Sequence, residues 1–579
     1  MRHFSSTRYL RVHTVLIMVA MAGWAAAWGG GTAYPQSTAA HISPVVEPLQ
    51  VTVPSLAPDT IARPVEQLLT VPEGEPLPIA PPPPAQPILD PVIQISDQIS
   101  AQQADIGAIS APTVNVAGLT AAANPPDTVG DVGPNHYVQM VNATQFQIRN
   151  KAGAALTAPI TFGNLWPMGT TCRANAGDPI VVYDHLADRW LLSQFANPNH
   201  MCIAISQTAD PVVGTWFLYT FNTLVFPDYP KIGVWPNGYY MSSYEGTNLG
   251  IYVFDRVNML LGFGARFMKT TIPSLGAPGV RDTRILPSDL DGPLPPDARP
   301  ANFFVRTVDG QQHPTNPVDR IEIYEARANF VTLTFSFPLV TTLTPTSPLP
   351  SQPVAPFQTM LCNRNGGGVR DCIPQPTTAV NTVDALSNRP MMQLKYRNLG
   401  AFQALVFNQT IDVSGSVPGL APTREVAGIR WYELRRIGTG TWLLHQQGTF
   451  APQPLGATAE NQLLHRWMGS TAIDRVGNIA LCYSITNSNP LAPIFPGIRC
   501  TGRRVDDPLD FMPQGEIVIA NGENAQTQGL GARWGDYSAL SVDPVDNCTF
   551  WYTTHLAGAG GTGARPTRIA AFRLDNCTP

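Results

Sequence analysis

Residues 178–195 read DPIVVYDHLADRWLLSQF. An apolar run leads into a polar turn with Asp184 at its first corner, and a second apolar run leads out, which is the pattern of a β-hairpin. The same phrase recurs in altered wording: VGDVGPNHYVQMVN at 129–142, KIGVWPNGYYMSSY at 231–244, STAIDRVGNIALCYS at 470–484 and ALSVDPVDNCTFWYT at 539–553. The turn positions carry Asp131, Asp184, Asp474 and Asp543, with Pro236 in the third copy. Asp bonds the backbone two residues on, and a Gly, Asn or Asp shortly after it accepts a positive φ, so each hairpin closes with little strain.

Two weaker copies start near Arg284 (RILPSDLDGPLPPDARPANFFVRTV) and Arg389 (RPMMQLKYRNLGAFQALVFNQT). The units are spaced by about 50 to 75 residues, enough for four strands each. Nothing after Gly118 keeps a helical period over three turns. The pattern predicts an all-β protein, a seven-bladed β-propeller over 119–579, with six or eight blades as alternatives because the unit at 336–388 is hard to divide. Each blade packs only on its neighbours, which lets a long chain fold without one oversized core.

The 57 prolines and 48 glycines fit many turns and short elements. Charged residues make up 13% and the net charge is −5, so no basic surface points to nucleic acid or an anionic membrane. The N-terminus has three arginines, an apolar run (TVLIMVAMAGWAAAW) and then small residues, the order of a secretory signal peptide over 1–33. An uncleaved anchor is the alternative, and the only membrane contact expected. From 34 to 118 the chain is rich in proline, with four in a row at 81–84. This reads as a disordered spacer or a removable pro-segment.

The eight cysteines fall in close pairs, predicting disulfides Cys172–Cys202, Cys362–Cys372, Cys482–Cys500 and Cys548–Cys577 and an oxidising, extracellular destination. None of the spacings is that of a zinc site.

HRWMGSTAIDRVGNIALCYS, RWGDYSALSVDPVDNCTFWYT, PPDTVGDVGPNHYVQMVN, DYPKIGVWPNGYYMS and GIRWYELR resemble a group of uncharacterised bacterial exported β-propeller proteins, from about Pro125 to the C-terminus. The group implies no activity. More distantly, the turns resemble those of sialidase-like, Asp-box propellers. Ser541, Asp543, Thr549 and Trp551 meet that pattern with two extra residues, and RILP at 284–287 meets the sialidase F-R-I-P only in part. No sialidase nucleophile is carried over.

No nucleophile elbow, P-loop, dinucleotide fingerprint or H-E-x-x-H occurs, so any catalytic site is assembled from single residues on different blades. Residues just before each inner strand gather at one mouth of the channel. There the earlier units place Asp178, Asp228 and Asp282, and the later ones Arg389, Arg466 and Arg533. The expected site is an anion-recognising arc of these three arginines facing Asp178, Asp228 and Asp536, with Trp467 and Trp534 beside it and Tyr229 and Tyr537 close by. Structural ion pairing of these charges and packing of the tryptophans on arginine are the commoner outcome for such groups, and the arc is the functional reading set against it. Asp127 and Asp131, and Asp289, Asp291 and Asp297, are candidate calcium ligands, with no other cofactor implied. The functional expectation is a monomeric, secreted or cell-surface module that recognises a glycan or protein. A glycan-active hydrolase or lyase with a dispersed site is the alternative.

Overall fold

The computed structural model describes residues 40–52, 69–70, 87–94 and 109–578, except 143, 276–283, 297–300, 314–315, 362–370, 378–381, 418–421, 527–532 and 560–564. The signal-peptide reading, Cys362, Asp282 and Asp297 lie outside the described residues.

Among the described residues the strands form seven antiparallel units of four strands, each starting at the centre and meandering outward. Blade 1 holds Val129–Val132, His136–Val141, Gln145–Asn150 and Ile160–Thr161. Blade 2 holds Gly177–Asp184, Arg189–Ala196, His200–Ser206 and Thr215–Asn222. Blade 3 holds Asp228–Trp235, Gly238–Glu245, Asn248–Phe254 and Phe267–Pro273. Blade 4 runs through Leu286–Asp291, Asn302–Val308 and Arg320–Asn329, whose outer edge takes both Thr334–Ser336 and Leu339–Leu343. Blade 5 holds Pro390–Asn398, Gln403–Asp412, Ala427–Arg436 and Leu443–Phe450. Blade 6 holds His465–Ile473, Ile479–Thr486, Gly497–Arg503 and Ile517–Ala520. Blade 7 takes Ala539–Val542, Phe550–His555 and Arg565–Phe572 from the end of the chain, and its outer strand, Val114–Ala121, from far upstream.

The innermost strands touch in cyclic order, blade 7 returning to blade 1, so the ring is closed and the fold is an all-β propeller. Blade 7 closes it by pairing the two ends of the domain, which removes the seam where unzipping would begin. Inner strands pack on both faces, which is why all eight residues of Gly177–Asp184 are buried and the strand reads as a continuous apolar run. The inner strands of blades 4 and 5 also pair directly in parallel, Ser288 opposite Leu394.

The described parts of the Pro-rich stretch, expected to be a free spacer, depart from that reading. His41–Ile42 adds a fifth strand to blade 3, Leu49–Thr52 to blade 2 and Ile93–Gln94 to blade 5. The edge of a finished blade offers a row of unpaired backbone groups, and even a poorly folding segment gains by pairing with them. The domain boundary expected at 119 falls inside the strand Val114–Ala121. Between blades 4 and 5, Asp371–Ile373 and Val383–Asp384 pair antiparallel as a small two-stranded unit.

Three of the expected disulfides are present: Cys172–Cys202, Cys482–Cys500 and Cys548–Cys577. Cys482 and Cys500 sit directly opposite on neighbouring strands, and Cys548–Cys577 ties the C-terminal tail to the hairpin of blade 7. Cys372 is also disulfide-bonded. Such bridges are consistent with an extracellular protein.

Candidate functional site

The inner strands share a local irregularity at the end where they begin. Asp127, Asp178, Tyr229 and Met468 have φ values of 36°, 50°, 53° and 52°. The pairing register slips beside three of these positions, between Gly177 and Ile180, Asp228 and Lys231, and Trp467 and Ser470. Bulges of this kind re-aim side chains, and the left-handed conformation costs each non-glycine residue of order 1 kcal/mol or more. The result is a set of polar groups from several blades meeting at one mouth.

Asp178 of blade 2 accepts a 2.6 Å hydrogen bond from the Tyr537 hydroxyl, which comes from the approach to blade 7. Asp127, entering blade 1, accepts from the Asp536 backbone N–H at 2.9 Å and from Asn142 Nδ2 at 2.7 Å. Arg533 grips both oxygens of Asp536 through Nη2, each at 2.7 Å, and donates through Nε to Asp384 at 2.8 Å. Asp384 comes from the small two-stranded unit between blades 4 and 5 and also accepts the Trp534 backbone N–H at 2.6 Å. The Lys231 ammonium lies between two aromatic faces, 3.3 Å from the Tyr229 centroid and 3.5 Å from that of Tyr537. The Arg389 guanidinium also lies over the Tyr229 ring, 4.5 Å from its centroid.

Burial and mutual repulsion set the protonation of this cluster. Burial raises the Asp127 carboxyl well above the usual carboxylate range, and the charges of Asp536 and Asp178 raise it further. Burial lifts Asp178 to about 6, opposed by the hydrogen bond from Tyr537 and the charge of Lys231. Burial pushes Lys231 well below the usual lysine range, against the pull of Asp178 and Asp536. Arg533 moves the other way, since Asp536 and Asp384 together outweigh its desolvation. The site therefore mixes two carboxyl groups raised by burial, one of them to about 6, with a guanidinium held charged by its carboxylate partners.

A carboxyl whose folded pKa is raised binds its proton more tightly in the folded state, so it adds stability as the pH falls through the folded value toward the unfolded one. For Asp178 that window runs from about 6 down to 3.8. The wild type should therefore gain stability relative to Asp178→Asn as the pH is lowered from 7 to about 4. Urea midpoints of the two proteins across that range check it, and a difference that shrinks on acidification would be the wrong sign.

The expected site residues divide. Asp178, Asp536, Arg533 and Arg389 meet at the mouth, together with Tyr229 and Tyr537. Arg466 does not join them, and the three-arginine arc is not formed. Its Nε donates to Glu516 at 3.0 Å and its Nη1 to the Pro452 carbonyl at 2.6 Å, beside Phe450 and Tyr483. Trp467 and Trp534 are fully buried and pack on each other at 5.4 Å, with Trp534 also bonded to Ser484, so they are core and offer no platform. Asp228 is half-buried at the start of its strand, opposite Tyr244.

Asp131, Asp289 and Asp291 face Lys395 rather than a metal. Its ammonium is 2.8 Å from Asp289 and 3.6 Å from Asp291, its side chain is fully buried, and the charge of Asp131 acts on it as well. Among the described residues no group of three or more His, Cys, Asp or Glu is arranged to hold a metal ion. Lys231 and Asp384 were missed. Lys231 was within reach, because aligning GDPI, DYPK and WMGS on their left-handed residue puts it two positions after Tyr229.

No family model matches the chain, and no curated protein is significantly similar to it. Among solved structures, several are similar to the chain at low identity. The WD40 domain of SCAP from fission yeast shares 6% identity over 80% of this chain and 97% of its own, with a TM-score of 0.32. An engineered GH43 glycoside hydrolase with endo-xylanase and exo-arabinofuranosidase activity shares 9% over 78% of this chain and 97% of its own, with a TM-score of 0.27. The GH93 α-L-arabinofuranosidase of Fusarium graminearum shares 9% over 69% of this chain and 94% of its own, at 0.25.

Proposed function

We propose that the protein is an extracellular recognition module whose channel mouth binds a glycan or protein ligand. One observation carries the reading: charged groups contributed by separate blades converge at the mouth, and Asp178, Asp536 and Arg533 each keep about a tenth of their surface open to solvent. Their geometry is fixed before any ligand arrives by hydrogen bonds between blades, which reduces the ordering cost of binding. The disulfides and the sequence of the N-terminus support export. Arrays of glycans and extracellular proteins, probed with the full mature chain, should show retention without product. Asp178→Asn should weaken that retention by about tenfold at pH 7, the scale of one hydrogen bond to a charged group. Retention unchanged in this variant would move the site elsewhere.

A second reading, a glycan-active hydrolase or lyase, is favoured by one specific feature. The carboxyl of Asp178 titrates at about 6 beside other carboxyl groups, and such a pairing suits an acid–base role near neutrality. Sugars released from acidic and neutral polysaccharides, with loss of release in Asp178→Asn, would select it.

A further inference from the structure

We propose that a cavity at the rim between blades 4 and 5, separate from the mouth, binds a single hexuronate unit, a sugar ring bearing one carboxylate. The cavity has a volume of about 230 Å³. Ligand pockets for drug-sized molecules run from about 300 Å³ upward, so this one suits one sugar ring rather than an oligomer.

Its walls are built from four places in the sequence. The second strand of blade 4 gives Phe303, the third gives Glu325 and Arg327, and the edge strand Leu339–Leu343 gives Thr341. The turn that follows the third strand of blade 5 gives Trp442 together with Thr439 and Thr441. Arg436 ends that strand and is held in a fixed pose. Its guanidinium lies 4.3 Å from the Phe303 centroid and 4.9 Å from that of Trp442, and its Nε and Nη2 both donate to Gln403 Oε1. Phe303 and Trp442 meet edge to face at 5.2 Å, which locks the floor.

Three features of the lining select the ligand. Two guanidinium groups against one carboxylate leave a net positive lining, which favours one negative charge. Arg327 is the accessible one, with 44% of its side chain exposed, and it is paired with Glu325 at 16%. A ligand carboxylate can therefore approach Arg327 from solvent without breaking the core. Three threonine hydroxyls, each donor and acceptor at once, match the hydroxyls of a sugar ring better than they match a bare anion.

The test is titration calorimetry on the full mature protein with glucuronate, glucose and acetate. Glucuronate is expected to bind at least tenfold more tightly than either of the others, since glucose lacks the charge and acetate lacks the hydroxyls. Arg327→Ala, a change at an exposed position that leaves the melting temperature in place, should weaken glucuronate by about tenfold, the scale of a charge-assisted hydrogen bond. Thr341→Val should weaken glucuronate while leaving acetate unchanged. Acetate binding as tightly as glucuronate, glucuronate failing to bind, or Arg327→Ala without effect would each overturn the proposal. The mouth variant Asp178→Asn should bind glucuronate like the wild type, so failure of the mouth reading and failure of this one remain distinguishable.

Discussion

Asp184→Ala is expected to destabilise the protein by about 3–5 kcal/mol, the range found when one partner of a buried ion pair is removed. Asp184 is the first corner of the hairpin in DPIVVYDHLADRW, and its Oδ1 accepts the backbone N–H groups of Leu186 and Ala187, both at 3.1 Å. The same fully buried carboxylate reaches into blade 3. There Arg256 binds it with Nε at 2.6 Å and Nη2 at 2.9 Å, and the Tyr239 hydroxyl donates to it at 2.8 Å. Arg256 opens the short helix Arg256–Leu261, which Asp255 caps by accepting the Asn258 N–H. Alanine at 184 would strand a guanidinium, a phenol and two turn amides together. Asp184→Asn keeps an acceptor for the turn but loses the charge, so it should fall between alanine and the wild type. Urea unfolding read by tryptophan fluorescence would order the three, and a loss under 1 kcal/mol for alanine would show that the blades are not joined through this residue.

That double role explains how much of the molecule was legible. A turn is a local event, so Asp184 could be read as a turn residue from the hairpin alone, and five such turns suffice for a propeller. Its partner Arg256 lies 72 residues on, where no periodicity points to it. The mouth follows the same division. Asp178 was legible because the apolar run of the inner strand starts just after it, and as the second residue of Gly177–Asp184, in the left-handed conformation, it is turned to the mouth. Arg466 and Arg533 look alike, each preceding a tryptophan, yet they diverge in place. Arg466 is inside the strand His465–Ile473, two residues before the left-handed Met468, and its side chain turns to Glu516, just before the outer strand of its own blade, and to the Pro452 carbonyl. Arg533 lies in the loop before Ala539–Val542 and reaches Asp384 and Asp536 at the mouth. Spacing alone does not separate a strand residue from a loop residue with the same neighbour. The tryptophans are packing residues, as their place beside arginine allowed: Trp467 lies in a strand packed on both faces, and Trp534, in the loop, packs against it and bonds Ser484.

The N-terminal arm was the least legible part, and Asp90 offers the sharpest test of what it does. Composition alone marks 34–118 as unable to fold by itself. What composition does not reveal is a blade edge waiting for a strand and a buried charge waiting for a partner. Asp90 Oδ1 lies 2.8 Å from Arg430 Nη2, in blade 5, and the two side chains are 3% and 0% exposed. The backbone around it is tied as well: the Asp90 N–H donates to Ser416 Oγ at 2.7 Å, and Gln94 exchanges two hydrogen bonds with the backbone of Met512 at 3.1 and 2.8 Å. Arg430 has further acceptors in Thr449 Oγ1 and the carbonyls of Ala355 and Pro356, but those carry no charge. Asp90→Ala should therefore cost about 3–5 kcal/mol, because it leaves a guanidinium buried without its counter-charge. The arm should also become more susceptible to proteolysis near Asp90, while the ring stays closed through the strand Val114–Ala121. The companion Asp90→Ala/Arg430→Met should recover much of the loss, since exchanging a buried pair for apolar groups is often close to neutral, and the double-mutant cycle isolates the pair from the rest of the arm. An Asp90→Ala protein as stable and as protease-resistant as the wild type would mean that the arm rests on blade 5 without holding it, and the reading of the segment as a spacer would stand after all.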